Sequence, residues 1–201
     1  MIKKGYGQAY VPTQDEFKRL VKVVQHNKYA CRDSLLILFS YGLGLRAVEM
    51  AALKIRDVIG YDGKVLEVIN LQRTKGNKTR EVYLTDERLR VSIMEYMEWR
   101  KQHASDKRAV LSYTQAFFLS QKGSHFTNVT LQKLFTKIYR EAGFRGRSHS
   151  GRRTFATNLI EKNIDIRTIQ VLMGHSNISQ TAKYVQSNPE RLKKAITNAL
   201  Y

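Results

Sequence analysis

Four short segments of this sequence together supply cationic side chains, two histidines and a tyrosine, a combination that suits chemistry at an anionic group. One arginine follows a glycine-rich turn, and a lysine lies between two β-prone runs. A histidine precedes an arginine by three positions, and a tyrosine follows another histidine by nine. Each alone is more typical of a surface or structural side chain. The candidates are Arg46, Lys75, His149, Arg152, His175 and Tyr184.

A DNA phosphodiester is one group that such a set could serve. Its charge repels a nucleophile, so the non-bridging oxygens need stabilisation in the transition state. The planar guanidinium groups of Arg46 and Arg152 can bind those oxygens with two parallel hydrogen bonds, whereas a lysine acts as a compact point charge. A tyrosine hydroxyl titrates near ~10, so forming phenolate at neutral pH costs roughly 4 kcal/mol. Neighbouring cations lower that cost.

Helical patterns surround the first candidate arginine. Thr13 and Glu16 have the spacing of a capping box that begins a helix. The apolar face of that helix comprises Phe17, Leu20, Val21 and Val24. Residues 30–42 predict a buried helix, which Gly42 and Gly44 end, and helical spacing resumes from Ala47 to Leu53. Arg46 is therefore expected at a turn between two helices.

The other candidates lie near the ends of predicted elements. β-branched residues at 64–71 and 80–84 predict a hairpin, and its basic turn at 74–77 carries Lys75. Helices are predicted at 86–103, at 127–142, from Ser150 onward, at 166–173 before Gly174, and at 177–185. Pro189 opens a last amphipathic helix. Its apolar side comprises Leu192, Ile196, Ala199 and Leu200.

The composition favours one compact domain with a nucleic-acid partner. The chain has 201 residues, 42% of them hydrophobic, and a formal net charge of +18. An anionic partner offsets the self-repulsion of such a charge. The alternatives are a merely basic protein and, less favoured because no long apolar run is present, a protein bound to an anionic membrane surface.

The single cysteine and the amino terminus indicate the compartment. Cys31 has no partner for an internal disulfide, which fits a reducing cytosol. The first residues carry charge but no apolar stretch of a secretory signal. We expect a cytoplasmic protein associated with the nucleoid.

Four segments resemble, in the same order, the motifs of the tyrosine recombinase (phage integrase) family. Residues 41–53 (YGLGLRAVEMAAL) are similar to its first-arginine box, and residues 73–84 (RTKGNKTREVYL) to its catalytic-lysine hairpin. Residues 148–157 (SHSGRRTFAT) carry its His-x-x-Arg motif. Residues 172–184 (LMGHSNISQTAKY) match the segment in which the nucleophile follows a histidine. The resemblance runs from about Thr13 to Val185.

This resemblance implies the catalytic-domain fold of the family, mainly α with a small antiparallel β-sheet (α+β). It implies that Tyr184 attacks a DNA phosphodiester and forms a 3′-phosphotyrosyl bond, while Lys75 protonates the departing 5′-oxygen. His149 is expected to accept the proton of Tyr184 or to bind phosphate near that path. His175 is expected to donate a hydrogen bond to phosphate.

The implied activity is site-specific recombination, whether integration, excision, inversion or resolution. No cofactor is expected, because the phosphotyrosyl bond retains the energy needed for rejoining without ATP or metal. Glu49 is expected to orient Arg46 or His149 rather than to bind magnesium. The alternatives are a nicking and closing enzyme similar to type IB topoisomerases and a non-catalytic DNA-binding regulator of the same fold.

Double-stranded DNA is the expected partner, with self-assembly to a tetramer on two DNA sites. The sequence cannot name the DNA site, since phosphate contacts carry no sequence information. Candidate groove and backbone contacts are Arg73, Lys78, Arg80, Lys122, Lys133, Lys137, Arg140 and Arg153.

Two residues and the domain arrangement depart from the family pattern. Gly151 stands where an apolar residue usually precedes the second arginine, and Arg153 replaces a common histidine. We expect an arm or linker remnant at 1–12, a catalytic domain at 13–188, and a C-terminal helix at 189–201 that packs on its own domain or docks in a neighbouring protomer. Fewer than fifteen residues precede Thr13, where most members have a core-binding domain. This fits either a fragment or a short, single-domain invertase.

Overall fold

A computed structural model describes residues 9–72, 79–103, 112–185 and 197, and these form mainly helices with one small antiparallel sheet. The helices are α1 (Gln14–Gln25), α2 (Ala30–Gly42), α3 (Ala47–Ala52), α4 (Glu87–Gln102), α5 (Asn128–Glu141), α6 (Ser150–Glu161), α7 (Ile166–Met173) and α8 (Ile178–Val185). The strands are β1 (Val68–Gln72) and β2 (Thr79–Tyr83), and a 3-10 turn lies at Ile55–Asp57. The predicted α+β class is confirmed.

The predicted start of α1 and the predicted break after α2 are both confirmed. The Thr13 amide donates to the Glu16 carboxylate at 2.8 Å, and the Glu16 amide donates to the Thr13 hydroxyl at 3.3 Å. Gly44 follows α2 with a φ of +62°, and a Cβ there would lie 2.5 Å from the Phe155 ring. Glycine is therefore required in the turn before Arg46 both by its backbone and by the close approach of α6.

The sheet pairs Val68 with Tyr83 at one end and Gln72 with Thr79 at the other. The predicted first strand began at Lys64, and this was wrong. The Gly60 amide instead donates to the Lys64 carbonyl at 2.8 Å, and Val65 pairs with Ile59, so a tight turn precedes β1. The predicted basic turn at 74–77 lies outside the described residues.

Helix α2 is central to the packing, with α1, α4 and α6 against it. The larger core cluster contains Phe39, Tyr96, Phe117 and Phe118, and a smaller one joins α6 to α7. Tyr184 of α8 packs against the smaller cluster. No helix in the described ranges has the length and apolar content that a bilayer crossing requires. The predicted C-terminal helix lies outside the described residues, apart from Thr197, which is helical.

Gly151 of α6 lies close against α2. A Cβ at this position would lie 2.7 and 2.8 Å from two atoms of the Tyr41 ring and would also overlap the Ser40 hydroxyl. The space that an apolar side chain at position 151 would need is therefore filled from α2. This explains the departure of Gly151 from the family pattern as a matter of packing.

We predict that Gly151→Ala lowers the free energy of unfolding by about 1–3 kcal/mol, because overlap in a buried contact outweighs the better helix propensity of alanine. Urea unfolding measures the change. Gly42→Ala is the control, since a Cβ at Gly42 meets nothing within 4 Å. Equal stability of the two variants would contradict this account of the α2–α6 contact.

Candidate active site

Arg46 caps the first turn of α3 and is held there by Glu49. The Arg46 amide donates to Glu49 Oε2 at 2.7 Å, and its Nη1 donates to Glu49 Oε1 at 2.7 Å. The side chain of Arg46 keeps 29% of its surface exposed. Its guanidinium is thus fixed on one side by a carboxylate and open to a cavity on the other.

Glu49 also binds Arg80, which lies opposite Leu71 in the sheet. Arg80 donates from Nε and Nη2 to the two Glu49 oxygens at 3.3 and 2.8 Å, and from Nη1 to the Leu172 carbonyl at 2.5 Å. Both side chains are largely buried. Arg80 therefore ties the hairpin to α3 and to the end of α7, and its arrangement favours a positioning role over the DNA contact that the sequence predicts.

The ionisation of Glu49 follows from these contacts. Burial by itself would raise the pKa of the Glu49 carboxyl, but the hydrogen bond and charge of Arg80, followed by those of Arg46, lower it to about 2. A carboxylate with a depressed pKa stabilises the fold above its unfolded pKa, near 4.5. That contribution is lost as the pH falls from about 4.5 toward about 2.

We predict that Glu49→Gln lowers the free energy of unfolding at pH 7 by about 3 kcal/mol, because a depression from 4.5 to about 2 corresponds to that difference. Urea unfolding across pH 2 to 7 checks it, and the curves of wild type and variant should converge at the acidic end. Glu98→Gln is the control, since Glu98 is exposed and its ion pair in the described part of the chain is a surface one, with Lys101 at 3.4 Å. A constant gap between the curves at every pH would contradict the assignment.

Arg152 is the third residue of α6 and is buried, with 3% of its surface exposed. Its Nη1 donates to the Gly44 carbonyl at 2.5 Å, and its Nη2 donates to the Met173 carbonyl. Burial, and then the charges of Arg46 and Arg80, lower the pKa of this guanidinium to about 9, against smaller opposing effects of Glu49 and Tyr184. Arg152 thus shares its electrostatic environment with the other site residues.

His149 precedes the first turn of α6 as its N-cap residue. The pKa of its imidazole is lowered, first by partial burial of the ring and then by the positive charges of Arg152 and Arg46. A lowered pKa favours the neutral ring at neutral pH. A neutral imidazole can accept a proton, which the resemblance expects of His149.

The second histidine and the tyrosine lie together at the junction of α7 and α8. Gly174 ends α7 with a φ of +58°, and the next amide, that of His175, donates to the Gln170 carbonyl at 3.0 Å. The His175 ring stacks on the Tyr184 ring, with centroids 6.2 Å apart and an interplanar angle of 13°. The left-handed glycine thereby turns the chain so that His175 faces Tyr184.

Five of the six candidate residues lie in the described part of the chain. Contacts or charge interactions link Arg46, His149 and Arg152, and further ones link Arg152 to Tyr184 and Tyr184 to His175. The guanidinium groups of Arg46 and Arg80 bind the carboxylate of Glu49, and the guanidinium of Arg152 interacts with its charge. The resulting surplus of positive charge suits a phosphate group. Lys75 lies outside the described residues.

The predicted DNA contacts have different environments. Lys122, Lys133, Lys137 and Arg140 are exposed. Lys137 lies 3.7 Å from Glu141, and Arg153 donates to the Ala9 carbonyl at 2.8 Å, which joins α6 to the segment before α1. Arg73 and Lys78 lie outside the described residues.

A cavity of about 700 Å³ opens beside Arg46 and Glu49. Sequence reasoning missed two cations in its lining, Lys54 and Arg56, and it missed the contacts of Arg80 with Glu49 and Leu172. A signal for Arg80 was present, because alternation in β2 places it on the same face as buried Val82. The remaining lining residues are Val48, Ala52, Leu53, Asp57, Asn70, Leu71, Gly174, Ser176 and Gln180.

Comparisons with known proteins match most of the chain. The model of the phage integrase family matches residues 11–191. The tyrosine recombinase XerA of Pyrococcus furiosus is 30% identical over 187 residues, which cover 93% of this chain and 60% of that protein. The chain thus spans about three fifths of that relative's length.

Solved structures have the same fold. The crystal structure of XerA recombinase matches with a TM-score of 0.74 and 25% identity, covering 97% of this chain and 66% of that one. A structure of the site-specific recombinase XerH, described as a post-cleavage complex with its palindromic difH substrate, matches with a TM-score of 0.71 and 24% identity. The match covers 98% of this chain and 55% of the XerH chain.

Proposed function

This chain belongs to the phage integrase family, and from that premise we propose that it cleaves and rejoins DNA strands as the catalytic part of a tyrosine site-specific recombinase. The observation that carries the proposal is that Tyr184 stacks on His175 and interacts with the charge of Arg152, which in turn interacts with the charge of Arg46. The arrangement fits a phosphodiester placed between a phenol and guanidinium donors.

Each described residue has a part in the proposed cleavage step. Arg46 and Arg152 bind the non-bridging oxygens and stabilise the charge that develops on them. His175 adds a hydrogen bond to phosphate. Tyr184 Oη attacks phosphorus and transfers its proton to His149, and the 5′-oxygen of the next nucleotide leaves. Lys75 supplies the proton to that oxygen, by resemblance to the family.

The product explains how the strands rejoin. Attack forms a 3′-phosphotyrosyl bond and breaks one phosphodiester bond, so the number of phosphoester bonds is unchanged. A 5′-hydroxyl from a partner strand attacks this bond, restores a phosphodiester and releases the tyrosine, without ATP. The net reaction is an exchange of DNA strands, and it takes place on the nucleoid.

Duplex DNA is the proposed partner, in line with the DNA complex of XerH. We further propose that protomers assemble as a tetramer on two DNA sites, with the amphipathic segment 189–201 docking in a neighbouring protomer. The high positive charge of the chain supports DNA binding.

A nicked suicide substrate tests the chemistry. Duplexes that the protein binds are selected from a random pool and footprinted, and a nick is placed just 3′ of each candidate cleavage position. The short fragment that bears the 5′-hydroxyl then diffuses away, so a covalent adduct should accumulate, and peptide mapping should locate it on Tyr184. Tight binding without any adduct would refute the proposal.

A second assay separates recombination from a nicking and closing activity. Two labelled duplexes that carry the selected site are incubated together, and a supercoiled plasmid with one site is incubated in parallel. Strands joined between the two duplexes support a recombinase. Relaxation of the plasmid without joined duplexes would instead indicate an enzyme similar to type IB topoisomerases.

A further inference from the structure

Thr181 connects the histidine of the site to the helix that carries the tyrosine. It lies in α8 and is fully buried, with 0% of its surface exposed. Its hydroxyl lies 2.8 Å from Nδ1 of His175. Thr181 precedes Tyr184 by three positions, so the two side chains share a face of α8.

The chemistry of a hydroxyl gives this contact a specific consequence. A neutral imidazole has one nitrogen that donates and one that accepts, whereas an imidazolium donates from both. A hydroxyl can donate to a bare Nδ1 or accept from a protonated one. When the hydroxyl donates to a bare Nδ1 of the neutral ring, or accepts from Nδ1 of the imidazolium, Nε2 carries a proton and can act as a donor.

We propose that Thr181 is a positioning residue that keeps Nε2 of His175 as the hydrogen-bond donor to the DNA phosphate, in both protonation states of the ring. This inference rests on the proposed function, because it assigns the donor its phosphate partner. Thr181 itself touches no substrate. It acts by fixing the orientation of the ring and, in the neutral form, the nitrogen that carries the proton.

The same contact ties two parts of the site together. His175 belongs to the turn after α7, and two hydrogen bonds with Gln170 hold this turn in place. The His175 amide donates to the Gln170 carbonyl, and the Gln170 side chain donates to the His175 carbonyl, both at 3.0 Å. Thr181 belongs to α8 with Tyr184. The hydrogen bond therefore fixes the phosphate donor relative to the nucleophile, across the stacked rings of His175 and Tyr184.

The kinetic test compares Thr181→Val, which keeps the shape but loses the hydroxyl, with Thr181→Ser, which keeps the hydroxyl. Single-turnover cleavage of the suicide substrate should slow by about tenfold or more in the valine variant, since small misplacements of catalytic groups have effects of this size. The serine variant should cleave within about threefold of wild type. DNA affinity should be unchanged in both.

A double-variant experiment separates positioning from packing. In a His175→Leu background the histidine is absent, so adding Thr181→Val should cause no further loss of cleavage. A merely structural Thr181 would lower the rate equally in both backgrounds. An equal loss in both backgrounds would overturn the proposal. So would a valine variant that cleaves as fast as wild type, or a serine variant that cleaves as slowly as the valine variant.

A spectroscopic measurement on the DNA-free protein does not depend on activity. Nitrogen-15 shifts of the His175 ring should show Nε2–H in the neutral wild-type and serine variants. A proton on Nδ1 in the neutral wild type would overturn the inference, even if the valine variant failed to fold. Failure of the proposed function has a different signature, the lack of any wild-type adduct on bound DNA.

Discussion

Tyr184→Phe should abolish the covalent adduct while DNA binding is retained, with cleavage reduced by at least about 10⁴-fold because the attacking oxygen is lost. The ring packs against Ala156, Ile160, Ile169 and Met173, and phenylalanine preserves that packing. Stability should therefore stay within about 0.5 kcal/mol of wild type. Denaturing gels of the suicide-substrate reaction, gel shifts and urea unfolding give the three measurements.

Tyr61→Phe is the matched control, because the Tyr61 side chain is 91% exposed and contacts Tyr113 rather than the site. It should form the adduct at the wild-type rate. If the Tyr184 variant still formed an adduct, mapped to another tyrosine, the assignment of the nucleophile would be wrong.

Arg152→Lys should impair both cleavage and folding although it keeps the positive charge. The guanidinium reaches the carbonyls of Gly44 and Met173 from different nitrogens, which a single ammonium group on a flexible stem cannot reproduce in the same planar geometry. Leaving a buried carbonyl without its donor should lower the free energy of unfolding by about 2–3 kcal/mol. Cleavage should slow by about 10²–10³-fold, as for removal of one donor to a developing oxyanion.

Single-turnover cleavage at saturating DNA, together with urea unfolding, measures the two effects of Arg152→Lys. Arg153→Lys is the control, since the next arginine donates to the Ala9 carbonyl outside the site. Its cleavage rate should stay within a few-fold of wild type. Cleavage by Arg152→Lys within threefold of wild type would show that charge alone suffices at this position.

The sequence predicted most helices because their ends carry local signals. The box of Thr13 and Glu16 begins α1, and Gly44 and Gly174 adopt the left-handed backbone that their positions require. The start of β1 was missed because the β-branched run after Lys64 continues through a turn whose hydrogen bonds its composition does not reveal. Local patterns therefore located helices better than the boundary of a short strand.

The site was predicted less completely than its helices. Motif spacing identified the candidate residues, but no local signal shows that Arg80 binds Glu49, thirty-one positions away, or that Arg152 reaches the carbonyl of Gly44. The fit of Gly151 against Ser40 and Tyr41 likewise depends on residues of another helix. Such contacts arise from tertiary packing, which local sequence patterns do not predict.

The two buried arginines of the site are anchored on main-chain oxygens. Arg80 binds the carbonyl of Leu172, and Arg152 binds those of Gly44 and Met173. Every amino acid has a carbonyl, so substitutions at positions 172 and 173 that preserve the helix end leave both anchors in place. The side chains at those two positions therefore take no part in the anchors themselves, whereas Gly44 is constrained by its backbone as well as by its carbonyl.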